Sequence, residues 1–409
     1  MSSLIQIQEP SSASKGSRPS WNAFLELGFR PFYFAASVWA LLAIAFWIFL
    51  PHLILTSIPT VYWHAHEMLW GFIGTVAVGF LLTATHNWTG INPLKGRALG
   101  CLLLAWMAAR TTLLIPQETA LLFAIIFNTL FYWVAAFAVA RCVIKQRNRQ
   151  NYGLPLLMLV MGMTSAVYLG SFYQNTEHSA LLQKYATGML CMATITALLA
   201  RRVIPFFASR AVQGLDINRH TRTGQWQTSL SALAITCWVL KWQQAAGALL
   251  LGAALIALWH LFAWRFWAVR KHPLLWILYI GYAGLALGFI AMAAYCFGWI
   301  TVFAIPIHTL GVMGFSVLII GMITRTALGH LGLPLKVDQY IFYCYVLLVA
   351  AAVLRLSALA DQRFATPLIY TSALLWMAAF AVYLYRFFPL LIRPRADARP
   401  GKPIEIKRS

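Results

Sequence analysis

Long apolar segments, separated by short polar and charged breaks, run along almost the whole chain. A membrane-spanning helix needs roughly 17–25 mostly apolar residues, and about twelve segments meet this requirement. They cover residues 32–54, 64–86, 97–115, 119–141, 153–174, 181–207, 226–242, 244–264, 273–297, 303–325, 338–359 and 366–388. The pattern predicts an all-α polytopic membrane bundle of about twelve transmembrane helices over residues 26–390. A polar N-terminal tail (1–25) and a basic C-terminal tail (391–409) flank it.

The composition agrees with a membrane protein. Hydrophobic residues make up 61% of the chain and charged residues only 10%, whereas a soluble domain averages about 25% charged residues. The mean hydropathy is +0.72. The first residues are polar and rich in serine, without an apolar core, so the sequence predicts no signal peptide.

The positions of the basic residues explain the formal net charge of +21. Most of the 31 lysines and arginines fall in alternate breaks, and cytoplasmic loops of membrane proteins carry such an excess. This pattern predicts that both termini are cytoplasmic. The positive charge therefore needs no nucleic-acid partner, and the lipid bilayer is the expected surrounding. The basic residues predicted on the outer side are Arg110, Lys184, Lys241, Arg355 and Arg363.

The six cysteines are isolated in or beside apolar segments. The chain contains neither a CxxC nor a CxxCH motif, so neither a zinc site nor covalent attachment of haem is indicated. We interpret these cysteines as small apolar side chains.

The stretch WHAHEMLWGF opens the second apolar segment. It carries His64, His66 and Glu67, and the chain has only ten acidic residues in total. In the predicted topology these side chains lie near the outer face, and His308 lies at the same depth on the tenth segment. Imidazole is a usual ligand of haem iron and of copper. The four residues therefore form a candidate metal or cofactor site.

Two arrangements of this stretch remain open. In a helix His64 and His66 point about 200° apart and cannot bind one atom, so one would bind a metal while the other pairs with Glu67. If the helix began only at His66, an extended His64, His66 and Met68 would offer nitrogen and sulfur ligands to copper. A third possibility is a hydrogen-bonded cluster that anchors the helix end.

A second pair of histidines is predicted near the inner face. His86 and His330 follow His64 and His308 by the same number of residues. That spacing corresponds to roughly 33 Å of α-helix and lies within about 40° of a whole number of turns. Each helix could therefore present an imidazole at both membrane surfaces. Arginines at helix ends are candidates for pairing with haem propionates, although the inside excess of positive charge also explains them. They are Arg110 on the outer side and Arg97, Arg202 and Arg325 on the inner side.

The chain resembles the NnrS family from about residue 24 to residue 390. The segments that carry the resemblance are GFRPFYF (28–34), HAHEM (64–68), GFLLTATHNWTG (79–90), RRVIPFFASR (201–210), HPLLWILYIGYA (272–283), HTLGVMG (308–314) and MITRTALGHLG (322–332). The resemblance implies a bacterial inner-membrane protein of twelve helices that carries haem and copper and is linked to nitric oxide stress and denitrification. It marks as functional positions His64, His66, Glu67, Met68, Asn87, Trp88, Arg202, His308, Arg325 and His330. Tyr279 departs from the family pattern, in which a histidine is common.

We therefore expect a multi-pass inner-membrane protein that binds haem b, with copper, and protects against nitric oxide. In the first mechanism His308 together with His66 or His64 holds a metal centre, Glu67 accepts or relays protons, and a quinol supplies electrons. Such a protein would be a membrane oxidoreductase acting on nitric oxide or a related nitrogen oxide. The alternatives are a non-catalytic haem sensor or metal-trafficking factor, and a secondary transporter.

Overall fold

A computed structural model describes residues 18–174, 176–218 and 220–397. Residues 1–17 and 398–409, which make up most of the two predicted tails, lie outside the described residues. Every regular element in the described part is helical. The long helices are α1 Phe29–Phe49, α2 Thr60–Thr89, α3 Arg97–Thr112, α4 Glu118–Lys145, α5 Gly153–Gly170, α6 His178–Ala211, α7 Thr221–Val239, α8 Gln243–Ala263, α9 Pro273–Cys296, α10 Ala304–His330, α11 Gln339–Ala360 and α12 Ala365–Leu391.

Each predicted apolar segment coincides with one of these helices. Within the described ranges, ten are long and apolar enough to cross a membrane. The other two are α3, which has only 16 residues and spans roughly 24 Å, and α7, which begins with the polar sequence TRTGQWQTSLS. The structure therefore confirms an all-helical, multi-pass membrane protein with ten candidate spans. A count of twelve spans stays a prediction.

The first and last helices pack against each other and close the bundle. Trp376 on α12 donates a hydrogen bond from Nε1 to the carbonyl oxygen of Ala40 on α1 at 2.9 Å. The two ends of the described chain also meet, because the backbone nitrogen of Ser20 donates to the carbonyl oxygen of Ile392 at 2.8 Å. Both ends thus lie at the same end of the bundle, as two cytoplasmic termini require. The side of the membrane on which they lie stays a prediction.

Helices α2 and α10 lie inside the bundle. In the most apolar part of α2, 83% of the residues are buried, compared with 33% in the corresponding part of α12. Both inner helices contain a π-helical segment, Glu67–Ile73 in α2 and Thr309–Ser316 in α10, and each segment begins directly after a histidine. A third π-helical segment, Ala45–Phe49, ends α1. Such segments widen the helix and redirect its side chains, and they often occur at functional sites.

Candidate functional site

A cavity of about 760 Å³ lies among α1, α2, α5, α6, α10, α11 and α12. It occupies the end of the bundle that the charge pattern predicts to face outward, and we call it the outer cavity. Its walls are mainly apolar, and ligand pockets commonly have volumes of roughly 300–1,000 Å³ with such walls. The aromatic residues that line it are Trp47, Tyr62, Phe72, Tyr168, Tyr185, Phe303, Tyr370 and Trp376.

All three π-helical segments of the described chain contribute to this cavity. Trp47 comes from the segment in α1, Met68 from the segment in α2, and Gly311 from the segment in α10. The π-helical segment of α10 packs closely against α9, because a Cβ atom added at Gly284 of α9 would overlap the carbonyl oxygen of Met313. The irregular helix geometry is therefore concentrated around one space.

His64 is a predicted site residue that lines the outer cavity. Its ring stacks on the ring of Trp47, with centroids 4.9 Å apart and planes 10° apart. Its Nδ1 atom is buried and has no hydrogen-bond partner. Since most buried side-chain nitrogen atoms are paired, this imidazole is a candidate ligand. Met68, four residues later, lines the same cavity.

His308 also lines the outer cavity, but both of its nitrogens have partners. Nδ1 lies 2.8 Å from the carbonyl oxygen of Ala304. A carbonyl only accepts hydrogen bonds, so Nδ1 carries the proton. Nε2 therefore accepts the hydrogen bond from Nη2 of Arg355 at 3.1 Å. A metal at Nε2 would have to displace Arg355.

Arg355 is a site residue that the sequence analysis did not select. One signal pointed to it, because it is a cation in an apolar segment on the predicted outer side, where basic residues are few. His178 lies outside the predicted apolar segment 181–207, but the structure makes it the first residue of α6, where it lines the outer cavity. Its Nδ1 lies 2.5 Å from the hydroxyl of Tyr62.

His66 and Glu67 are buried in a different cluster, which we call the polar ring: His66, Glu67, Arg110, Asn128 and Ser165. The ring residues lie on α2, α3, α4 and α5, and all are at most 2% exposed. His66 Nδ1 lies 2.7 Å from Glu67 Oε1, and His66 Nε2 lies 3.0 Å from Ser165 Oγ. Asn128 donates to Ser165 Oγ at 2.6 Å and accepts from Arg110 at 2.6 Å. Arg110 Nε completes the ring 3.2 Å from Glu67 Oε2.

One assignment of protons satisfies the four hydrogen bonds of the polar ring, while Glu67 Oε2 and Arg110 Nε lie at ion-pair distance without forming a hydrogen bond. Asn128 donates to Ser165, whose hydroxyl then donates to His66 Nε2, and His66 Nδ1–H donates to Glu67. His66 is neutral in this assignment, while Glu67 and Arg110 form an ion pair. The ring is thus uncharged as a whole, which suits a buried position. It also leaves no free nitrogen on His66 for a metal.

The extended copper site His64, His66 and Met68 is therefore not assembled. Helix α2 begins at Thr60, so the condition for an extended His64, His66 and Met68 is not met. His64 and Met68 line the outer cavity, and His66 does not. Over the described ranges, no group of three or more His, Cys, Asp or Glu side chains is arranged to hold a metal ion.

The two histidines predicted near the inner face, His86 and His330, both lie on helices. His86 lies within α2, and His330 is the last residue of α10. The Nε2 atom of His330 is 3.5 Å from Nδ2 of Asn87, and its ring lies 5.3 Å from that of Phe29. His86 Nδ1 is buried without a partner. The π-helical segments within both helices change the angle per residue, so the regular-helix calculation does not describe this pair.

Two of the three predicted inner arginines contact protein groups, and Arg97 is exposed. Arg202 donates to Asn151 Oδ1 at 2.6 Å and to the carbonyl oxygen of Gln150 at 2.9 Å. Arg325 lies over the ring of Phe207, with its guanidinium carbon 4.0 Å from the centroid. Neither contact involves a histidine.

Tyr279, at the position where a family histidine is common, does not line the outer cavity. Its buried hydroxyl donates to the carbonyl oxygen of Trp264 at 2.9 Å. This tyrosine therefore has a hydrogen-bonding role between α9 and the end of α8, and it is not among the candidate ligands in the outer cavity.

Comparison with known families identifies the chain. A family model described as NnrS protein matches residues 23–395. The chain belongs to the NnrS family. This confirms the resemblance seen in the sequence, over nearly the same residues. Membership in the NnrS family marks the chain as a membrane protein related to nitric oxide. No curated protein matches the sequence.

Proposed function

We propose that this NnrS protein binds haem b in the outer cavity and acts in resistance to nitric oxide in the bacterial inner membrane. The observation that carries the proposal is the imidazole of His64. Its Nδ1 atom has no partner, and its ring lines an aromatic cavity of about 760 Å³. Aromatic and aliphatic walls favour a flat apolar macrocycle, since burial of apolar surface contributes roughly 25 cal/mol per Å².

The side chains of the cavity have distinct roles in this proposal. His64 would hold the iron, and Trp47 fixes the plane of the His64 ring by stacking. His308 stays neutral and is oriented by Ala304 and Arg355. Haem bound here would supply an iron atom that binds nitric oxide and changes its oxidation state by one electron.

Copper has weaker support than haem. His64 and Met68 line the cavity, but His66 is fully engaged in the polar ring. No three His, Cys, Asp or Glu side chains of the described residues are arranged to hold a metal ion. We therefore restrict the proposal to haem, and copper stays a prediction.

A non-catalytic haem sensor is the second candidate function, because the polar ring engages the residue that was expected to relay protons. In the oxidoreductase mechanism Glu67 would pass protons to the haem. However, its two carboxylate oxygens face His66 and Arg110, and the residue is fully buried. A sensor needs no such proton path, whereas an oxidoreductase needs a path through other groups and an electron donor such as a quinol.

Two measurements test the proposal. The full-length protein, purified in detergent from cells with sufficient haem, should show a Soret band and the pyridine haemochrome spectrum of haem b. A folded preparation without haem would refute the haem proposal and favour the transporter. Consumption of nitric oxide in the presence of a reduced quinone would then support the oxidoreductase, while haem without consumption would support the sensor.

A further inference from the structure

Arg355 is a half-buried cation that forms no ion pair with a carboxylate of the described residues. It lies near the predicted outer end of α11 and lines the outer cavity. Its Nη2 donates to the neutral His308, and its Nη1 is buried without an acceptor. A charged side chain within a membrane span is costly on its own, by roughly 2.5–3.5 kcal/mol on insertion scales.

Two other arginines of the bundle have carboxylate or carbonyl acceptors, whereas the buried Arg325 lies over the ring of Phe207. Arg110 pairs with Glu67 at 3.2 Å. Arg30 donates to the carbonyl oxygen of Leu391 at 2.9 Å and lies 3.6 Å from the carboxylate of Glu26. Arg355 has only a neutral imidazole. It is also the only arginine or lysine among the residues that line the outer cavity, and these residues include no aspartate or glutamate.

We infer that Arg355, held in place by His308, forms an anion-binding subsite in the outer cavity for a planar oxyanion with two acceptor oxygens. A guanidinium group presents its N–H donors as a rigid fork that matches such an anion. A charge-assisted contact of this kind is strong when it is shielded from water. An anion would also balance the charge that the protein leaves uncompensated.

Two sources can supply this chemistry. One is the propionate group of haem, and this form of the inference rests on the proposed function. The other is a free oxyanion, for which nitrite is a suitable probe because it is small and planar. The subsite itself depends only on Arg355, His308 and the cavity, so the two sources are separated by experiment.

The first experiment titrates nitrite into the full-length protein, purified without added haem, by isothermal titration calorimetry. Arg355→Gln should weaken nitrite binding by about tenfold or more, which corresponds to about 1.4 kcal/mol. Arg363→Gln is the matched control, because Arg363 is 83% exposed and pairs with Asp361 outside the cavity. It should bind nitrite as the wild type does.

The second experiment compares haem with haem dimethyl ester, which lacks the propionate charges, by titration of the Soret band. The wild type should bind haem about tenfold or more tightly than the ester. Arg355→Gln should bind both equally, and Arg355→Lys should keep only part of the preference because it lacks the fork. The wild-type comparison needs no variant, so it remains decisive if a substitution prevents folding.

The outcomes separate the sources and the two proposals. Nitrite binding that is lost in Arg355→Gln supports a subsite for free anions, even if the protein binds no haem. A preference for haem over its ester that Arg355→Gln abolishes supports a propionate subsite. Equal binding of haem and ester together with no Arg355-dependent nitrite binding overturns the inference, while leaving the haem proposal intact.

Discussion

His64 and His66 are two residues apart on α2, yet they serve different parts of the protein. His64 lines the outer cavity with an unpartnered Nδ1 atom. His66 is fully buried and donates from Nδ1 to Glu67 at 2.7 Å. The motif HAHE therefore combines a candidate ligand with a structural ion-pair network, and substitutions at the two histidines should have different effects.

Replacement of His64 by alanine should remove haem. Because this imidazole is the candidate iron ligand, we expect the haem content of the purified protein to fall about tenfold or more, with little loss of stability. Absorbance at the Soret band, normalised to protein, measures it. His52→Ala is the control, since His52 is exposed in a turn before α2. Retention of the full Soret band in His64→Ala would contradict the assignment.

Replacement of His66 by alanine should lower stability and spare haem. The change leaves Glu67 and Ser165 without their buried partner, and each unsatisfied group costs about 1–3 kcal/mol. Unfolding in detergent, followed by circular dichroism, should therefore begin at a lower temperature than in the wild type. If the variant is as stable as the wild type but lacks haem, His66 is a ligand after all.

The ion pair between Glu67 and Arg110 should be visible in a double-mutant cycle. Glu67→Gln leaves the charge of Arg110 buried and uncompensated, so we expect a loss of about 3–5 kcal/mol. Adding Arg110→Met should recover part of that loss, because no unpaired charge then remains. Glu118→Gln, at the exposed start of α4, should be neutral. An unchanged stability of Glu67→Gln with slower consumption of nitric oxide would instead identify a proton relay.

The packing of α9 against the π-helical segment Thr309–Ser316 should be sensitive to a single methyl group. In Gly284→Ala the new Cβ overlaps the backbone oxygen of Met313, and overpacking costs about 1–3 kcal/mol. The shift of that segment should also alter the haem spectrum, since Gly311 lines the outer cavity. Gly170→Ala, where a Cβ meets open space, should change neither stability nor spectrum.

The predicted orientation can be tested with single added cysteines. A membrane-impermeant maleimide applied to intact spheroplasts should label His52→Cys on the outer side. It should label Lys95→Cys, in a predicted inner loop, only after lysis. The wild type gives the background, because its six cysteines are present throughout. The reverse labelling pattern would invert the topology and place the outer cavity on the cytoplasmic side.

Much of the fold was available from the sequence. Apolar segments long enough to span a bilayer predicted the position of every long helix, and the motifs HAHEM and HTLGVMG led to the family. The sequence also placed His64 and His308 at the same depth, and both line one cavity. Their separation by more than 240 positions in the chain did not matter, because depth depends only on the position along each helix.

The sequence by itself thus determined where the helices lie, which residues share a depth, and that His64 and His66 cannot share a target if the stretch is helical. Only the tertiary structure decided which of them lines the cavity. That choice depends on how α2 is rotated against the helices that supply Arg110, Asn128 and Ser165, and hydropathy carries no information about rotation or partners. The π-helical segments and the contact of Arg355 with His308 were also beyond the sequence, because both arise from packing between distant parts of the chain.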